Sequence, residues 1–184
     1  MSSCAMPQYK HTYESTKGLD LRSGKYLVNH IESDLYLGSR EAVAERLIKK
    51  LQKVGDATFI YIDSVNISYL LPSQMQFELA PEAMATLKQT TDFDFIINVK
   101  ASRLQDEMSW SIALPNSNSY ENQSEVDIDV YDIASGQRIY SQRIIASVRN
   151  PADEGLHLTK SARGLIFGSI NKGVKEIKKY SPRI

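Results

Sequence analysis

Val126-Asp127-Ile128-Asp129-Val130-Tyr131-Asp132-Ile133-Ala134-Ser135-Gly136-Gln137-Arg138-Ile139-Tyr140 is the stretch on which the fold turns. Apolar and acidic residues alternate from Val126 to Val130, which is the two-residue period of a strand with one buried face. On that reading Asp127 and Asp129 stand on the solvent side. Ala134-Ser135-Gly136 then reverses the chain, and Arg138 to Val148 forms the partner strand of an antiparallel hairpin.

Working outward, the residues before the hairpin follow a different rhythm. Lys25 opens a strand carrying Tyr26, Leu27, Val28 and Ile31. A helix follows, with Ser39 as its cap and Glu41 in its first turn. Val43, Leu47, Leu51 and Val54 recur at helical spacing on that helix, and Gly55 supplies the left-handed residue that stops it. Thr58-Phe59-Ile60-Tyr61-Ile62 is apolar on both faces, as expected of an interior strand covered from two sides. Pro81 starts a second helix at the one position where its missing donor costs nothing. Asp94 to Leu104 is another strand, residues 105–123 are a long polar loop, and a last helix runs from Leu158 to Lys179. The order is β-α-β-α-β-β-β-α, an α/β (α+β) domain with one mixed sheet flanked by helices. Gly164, Gly168 and Gly173 in the last helix let it pack closely against the sheet. Residues 1–24 have no periodic apolar face and read as a flexible tether, leaving 25–184 as the globular domain.

Composition narrows the functional classes. The chain has 184 residues, 42% hydrophobic and 24% charged, enough for one domain with a substantial core. Lys plus Arg and Asp plus Glu both total 22, so there is no net field to draw in phosphate backbones, which argues against nucleic acid as the main ligand. No apolar run is long enough to form a spanning helix. One cysteine and three scattered histidines, His11, His30 and His157, give no metal-ligand spacing. Asp127, Asp129 and Asp132 invite a cation reading, but no EF-hand loop accompanies them. No serine stands in a nucleophile elbow, and the acid pairs carry no glycosidase signal. The expectation is a non-enzyme with no catalytic residue, no metal and no cofactor.

Three pieces of the chain resemble a bacterial envelope superfamily. They are Asp92-Phe93-Asp94-Phe95-Ile96-Ile97, a strand entered from a helix; the hairpin Val130 to Tyr140 with its Asp132 and Gly136; and the terminal helix Leu158 to Lys179. The group includes the curli secretion lipoprotein, the penicillin-binding-protein activator lipoproteins and the N-terminal domain of the translocation protein TolB. Val99 stands where the family strand usually continues into a glycine. The pore-forming relatives carry long amphipathic insertions, whereas the segment Met108 to Leu114 is too short for two membrane-crossing strands of about ten residues each. The resemblance implies a non-catalytic module that docks onto an envelope machine, such as a peptidoglycan synthase, and activates or helps assemble it. The alternative is a self-associating structural subunit of a secretion or surface-appendage assembly.

Met1-Ser2-Ser3-Cys4-Ala5 looks like the tail of a lipobox, which would make Cys4 a lipid anchor and the membrane a partner. The apolar core and basic leader of a signal peptide do not precede Cys4 here, so this reading expects them upstream. The plain alternative is an unmodified N-terminal thiol on a cytoplasmic chain beginning at Met1. Ala5 after the cysteine fits an outer-membrane protein facing the periplasm. Lys172, Lys175, Lys178, Lys179 and Arg183 are read as a solvated helix face that also complements the helix C-terminus. The expected partner-binding residues are Met108, Trp110, Ile112 and Tyr120 in the loop 105–123, because long loops in compact domains are commonly functional and Trp and Tyr are favoured interface anchors.

Overall fold

A computed structural model describes residues 6–14, 18–65, 75–106, 119–151 and 160–181, without the side chains of 106, 119, 120, 150 and 151. In chain order the elements are β1 (Gln8–Tyr13), β2 (Lys25–Ser33), α1 (Leu37–Leu51), β3 (Thr58–Tyr61), a 3-10 turn (Ile62–Ser64), α2 (Pro81–Thr90), β4 (Phe95–Asp106), β5 (Ser119–Asp132), β6 (Arg138–Pro151) and α3 (Ala162–Tyr180). The strands form one mixed sheet in the order β1-β6-β5-β4-β2-β3. β2 runs parallel to β3 and β4, while β4, β5, β6 and β1 pair antiparallel in succession.

The mixed α/β sheet matches the sequence expectation, and the helical and hairpin periodicities explain why. Val43, Leu47 and Leu51 of α1 and Ile166, Ile170 and Ile177 of α3 close the main core against Val28, Val99, Ile128, Val130 and Ile144 of the sheet. Tyr26 lies at one end of that core, its ring stacked on Phe59 at 5.0 Å and on Phe95 at 4.6 Å. On the opposite face α2 lays Ala83 and Leu87 over Leu27 and Ile96, with Met75, Phe93 and Ile133 completing a smaller core. The hairpin turn is as expected. Gly136 has φ +70°, and the Asp132 carboxylate accepts from the Ser135 amide at 2.6 Å and its hydroxyl at 2.8 Å. A side chain at 136 would be strained whatever the space around it.

Several expectations need correction. Part of the expected tether is structure: Gln8–Tyr13 is an edge strand on β6, and Leu19 and Leu21 are buried. Thr58–Tyr61 does have apolar contacts on both faces, but it is the other edge strand and not an interior one. Helix α1 begins at Leu37 with Tyr36 in the cap position and no side-chain cap; Ser39 is buried inside the first turn and its hydroxyl has no partner among the described residues. Gly55 is not left-handed. A Cβ there would sit 2.1 Å from the Leu21 carbonyl oxygen, so the glycine admits the passing chain. The loop 105–123 is shortened at both ends, since β4 runs to Asp106 and β5 starts at Ser119. In α3, close packing holds for two of the three glycines. A Cβ would meet the Tyr9 hydroxyl at 2.1 Å from Gly168 and the Ile144 side chain at 2.8 Å from Gly173, while Gly164 has room.

Candidate interaction surfaces

Half of one sheet face is not covered by a described helix. Beside α2, strands β2, β4, β5 and β6 carry Glu32, Lys100, Asp127 and Arg143 in one register row, alternating in sign across four strands. The Lys100 ammonium lies 2.7 Å from Glu32, and the Arg143 guanidinium lies 2.8 Å from Asp127 and 3.7 Å from Glu125. One step along β5, Asp129 meets Arg138 at 3.1 Å, and Arg138 reaches Glu14 after β1 at 3.1 Å. Opposite charges facing each other across strands stabilise a pairing and penalise a slip that would set like charges together.

This row corrects the reading of Asp127 and Asp129 as solvent-side residues. They are only 8% and 3% exposed, because the neighbouring strands and the arginines close over them. It also disposes of the cation reading of the three aspartates. Each is engaged separately, Asp127 by Arg143, Asp129 by Arg138 and Asp132 by its own turn. Among the described residues no three His, Cys, Asp or Glu side chains are placed to hold a metal ion. Lys100 holds the Glu32 carboxyl below its usual range, and Asp127 and Asp129 in turn raise Arg143 and Arg138. The ladder satisfies itself, so it presents polarity to a partner with little free charge.

Glu125 is the exception. Burial, then the nearby Asp127, raise its carboxyl above the ordinary range. Between the ordinary value and the raised one the folded chain binds more protons than the unfolded chain, so the contribution of this group to stability grows as pH falls through that window. Glu125→Gln is therefore expected to stabilise the protein at pH 7, by no more than about 0.5 kcal/mol given the screening at a partly exposed site. Urea unfolding at pH 7 and pH 4 checks it: the gain should shrink at the lower pH.

The sheet ends in two open edges. β1 presents Gln8, Lys10 and Thr12 outward, with Tyr9, His11 and Tyr13 turned towards α3. Tyr13 donates to Glu176 at 3.1 Å, and its hydroxyl is pushed up to about 12 by burial and then by that carboxylate. At the other edge a groove of about 630 Å³ runs between β3 and α1, lined by Phe59, Ile60 and Tyr61 on one side and Glu45, Ile48 and Gln52 on the other. β3 carries no charge and no proline in its described residues, whereas β1 has Lys10 on its outward side, one of the usual devices against edge pairing. Period and composition give no sign of this, because edge position is a property of sheet order.

Of the sequence-predicted site residues, Cys4, Met108, Trp110 and Ile112 lie outside the described residues. Tyr120 is placed only through its backbone, on β5 opposite Asn150. On the basic face of α3, Lys172 sits over the Tyr9 ring at 5.5 Å and Lys179 over Tyr180 at 4.8 Å, so these two lysines also pack within the molecule. No described helix is long and apolar enough to cross a membrane.

No protein-family model and no curated protein matches the chain. Solved structures do. The subunit of the PelC dodecamer from Paraburkholderia phytofirmans superposes with a TM-score of 0.52 at 11% identity, covering 97% of this chain and 100% of that one. The hypothetical protein CT253 from Chlamydia trachomatis superposes with a TM-score of 0.51 at 14% identity, covering 86% and 97%. Lipoprotein GNA1162 from Neisseria meningitidis superposes with a TM-score of 0.48 at 13% identity, covering 85% and 99%. At these identities the likeness establishes a shared fold.

Proposed function

We propose that this chain is a non-catalytic, self-associating subunit of a bacterial envelope assembly, anchored through Cys4 to the outer membrane and facing the periplasm. The observation that carries the reading is end-to-end agreement in fold with the subunit of a dodecamer. Two different open edges supply a physical route. Pairing β1 of one copy with β3 of the next is head-to-tail, and a head-to-tail contact that closes makes a ring. Pairing like with like would stop at a dimer. The docking role on a peptidoglycan synthase implied by the sequence resemblance rests on the loop 105–123, and the likeness to a dodecamer subunit favours self-association over it.

Native mass spectrometry across a concentration series tests this. The expected result is a closed species many times the 20.7 kDa chain. Thr12→Lys on β1 and Thr58→Lys on β3 place a charge on exposed edge positions and are each expected to return the protein to monomer without loss of fold. A chain that stays monomeric at all concentrations, or whose oligomer ignores both variants, sinks the proposal. Intact mass after expression with its native upstream sequence tests the anchor separately.

A further inference from the structure

We infer that β1 is an acid-released strand, held on the sheet by a directional chain of hydrogen bonds that admits only a neutral His11. The chain runs from Tyr140 to Glu176 through Gln142, an amide on β6 that is 1% exposed. The Tyr140 hydroxyl, itself buried, donates to the Gln142 side-chain oxygen at 2.8 Å. The Gln142 side-chain nitrogen turns its hydrogens towards β1, to His11 Nδ1 at 2.8 Å and to the Tyr13 hydroxyl at 3.3 Å. Tyr13 donates onward to the Glu176 carboxylate at 3.1 Å.

The direction of the chain fixes the state of the ring. An amide nitrogen only donates, so His11 Nδ1 is the acceptor and the ring hydrogen sits on Nε2. Protonation adds a hydrogen to Nδ1 and sets N–H against N–H. Turning the amide over offers Nδ1 an oxygen, but it takes from the buried Tyr140 hydroxyl the acceptor it has, which is the cost of a buried donor left unmade. His11 stands between Tyr9 and Tyr13 on the side of β1 that faces α3, so the proton acts at the middle of the strand and not at a fraying end.

The groups around the ring come from three elements. On α3, Glu176 favours the imidazolium, and Lys172, over the Tyr9 ring at 5.5 Å, opposes it. β6 contributes the neutral Gln142 and Tyr140, and β1 itself Tyr9 and Tyr13. Burial is the largest influence and holds the imidazole below its ordinary 6.5, with Glu176 working against it and Lys172 with it. A released strand carries an ordinary histidine and takes the proton more readily. The attached strand therefore loses ground as pH falls through 6.5, and the loss is complete below the folded value. β1 is an edge strand paired with β6 alone, while the strap behind it is fixed by Leu19 and Leu21 in the main core, so release stops at residues 8–13. In the ring proposed above β1 is one of the joining edges, and acid would open that junction. That consequence rests on the ring; the release does not.

Hydrogen exchange of the full chain, corrected for the intrinsic pH dependence of amide exchange, tests the release. Opening over residues 8–13 is expected to be about tenfold greater at pH 5.5 than at pH 7.5, the response of one proton over the unit below 6.5, while residues 95–101 keep their protection. His11→Gln removes the titrating ring and should flatten that response. If the glutamine loosens β1 at both pH values, the unaltered chain decides. There the His11 ring resonances should titrate below 6.5, and opening should level off at the pH where they do. Opening that is no greater at pH 5.5, a parallel loss over residues 95–101, the same pH response in a His11→Gln chain that holds β1 at pH 7.5, or a ring that titrates at or above 6.5 overturns the inference. A chain that releases β1 in acid but is monomeric at pH 7.5 would sink the ring and leave the switch intact.

Discussion

Deleting residues 1–24 is expected to abolish cooperative unfolding, whereas deleting residues 1–6 leaves the urea midpoint unchanged. A tether would be removable at no cost. Here the segment is bound along β1 and again at Leu19 and Leu21. β1 pairs with β6 from Gln8 opposite Ser147 to Tyr13 opposite Gln142. Its side chains reach further: the Gln142 amide meets the His11 ring nitrogen at 2.8 Å, and Tyr9 fills the gap over Gly168. The strap that follows inserts Leu19 and Leu21 into the main core, worth about 1.5–3 kcal/mol each. Its carbonyls are acceptors for the fold. Asp20 accepts from the Tyr26 hydroxyl at 2.9 Å, Leu21 from the Ala57 amide at 3.1 Å, and Leu19 from the Ser181 hydroxyl at 2.6 Å. Removing the strap takes the acceptor from the Tyr26 hydroxyl and the Ala57 amide, at about 1–3 kcal/mol for each one left buried, while Ser181 keeps the Ile177 carbonyl at 2.7 Å, and β6 becomes a bare edge. The loss is comparable with the 5–15 kcal/mol that holds a domain of this size together. Circular dichroism in urea decides it. A truncated chain that melts within 1 kcal/mol of the full one would restore the tether.

The strap was hard to see in the sequence for a physical reason. Gln8-Tyr9-Lys10-His11-Thr12-Tyr13 does alternate, but its inward residues are two tyrosines and a histidine, which bury rings and keep polar tips bonded. A period count on aliphatic residues passes over them. Elements with an aliphatic stripe were legible, namely α1, α3, β4 and the β5–β6 hairpin, and so was the start of α2 at Pro81. What local pattern cannot carry is order across the sheet. Phe59 and Ile60 look the same in an interior strand and in an edge strand covered on both faces. Asp127 and Asp129 look wet until Arg143 and Arg138 arrive from the next strand. Gly55 reads as a helix stop until Leu21, thirty-four positions earlier, passes against it. The candidate surfaces depend on that same order, so the two edges become visible only when the strands are placed.

Asn98→Leu is expected to cost about 2–4 kcal/mol and to release the segment that precedes α2. Asn29 and Asn98 are fully buried on neighbouring strands, where an apolar side chain would suit the sheet. They are there because the segment from Met75 crosses the sheet face with its carbonyls turned inward. Asn98 donates to the Phe77 carbonyl at 2.7 Å, and Asn29 donates to the Met75 carbonyl at 3.0 Å and to the Asn98 side-chain oxygen at 3.1 Å. The Asn29 oxygen accepts from the His30 amide at 2.8 Å, and Glu32 accepts from the Phe77 amide at 3.2 Å. Leucine at 98 keeps the branched shape, with more bulk, but leaves the Phe77 carbonyl without its donor and one Asn29 hydrogen without an acceptor. Met75, buried in the smaller core, then loses its support, and α2 loses part of the surface it packs on. Hydrogen exchange should therefore quicken over residues 75–80 before it changes in β4. Because the two amides act as one unit, Asn29→Leu/Asn98→Leu is expected to cost about 1 kcal/mol less than the sum of the single variants. Strict additivity would mean that each asparagine holds its own carbonyl independently and that the bond between them contributes nothing.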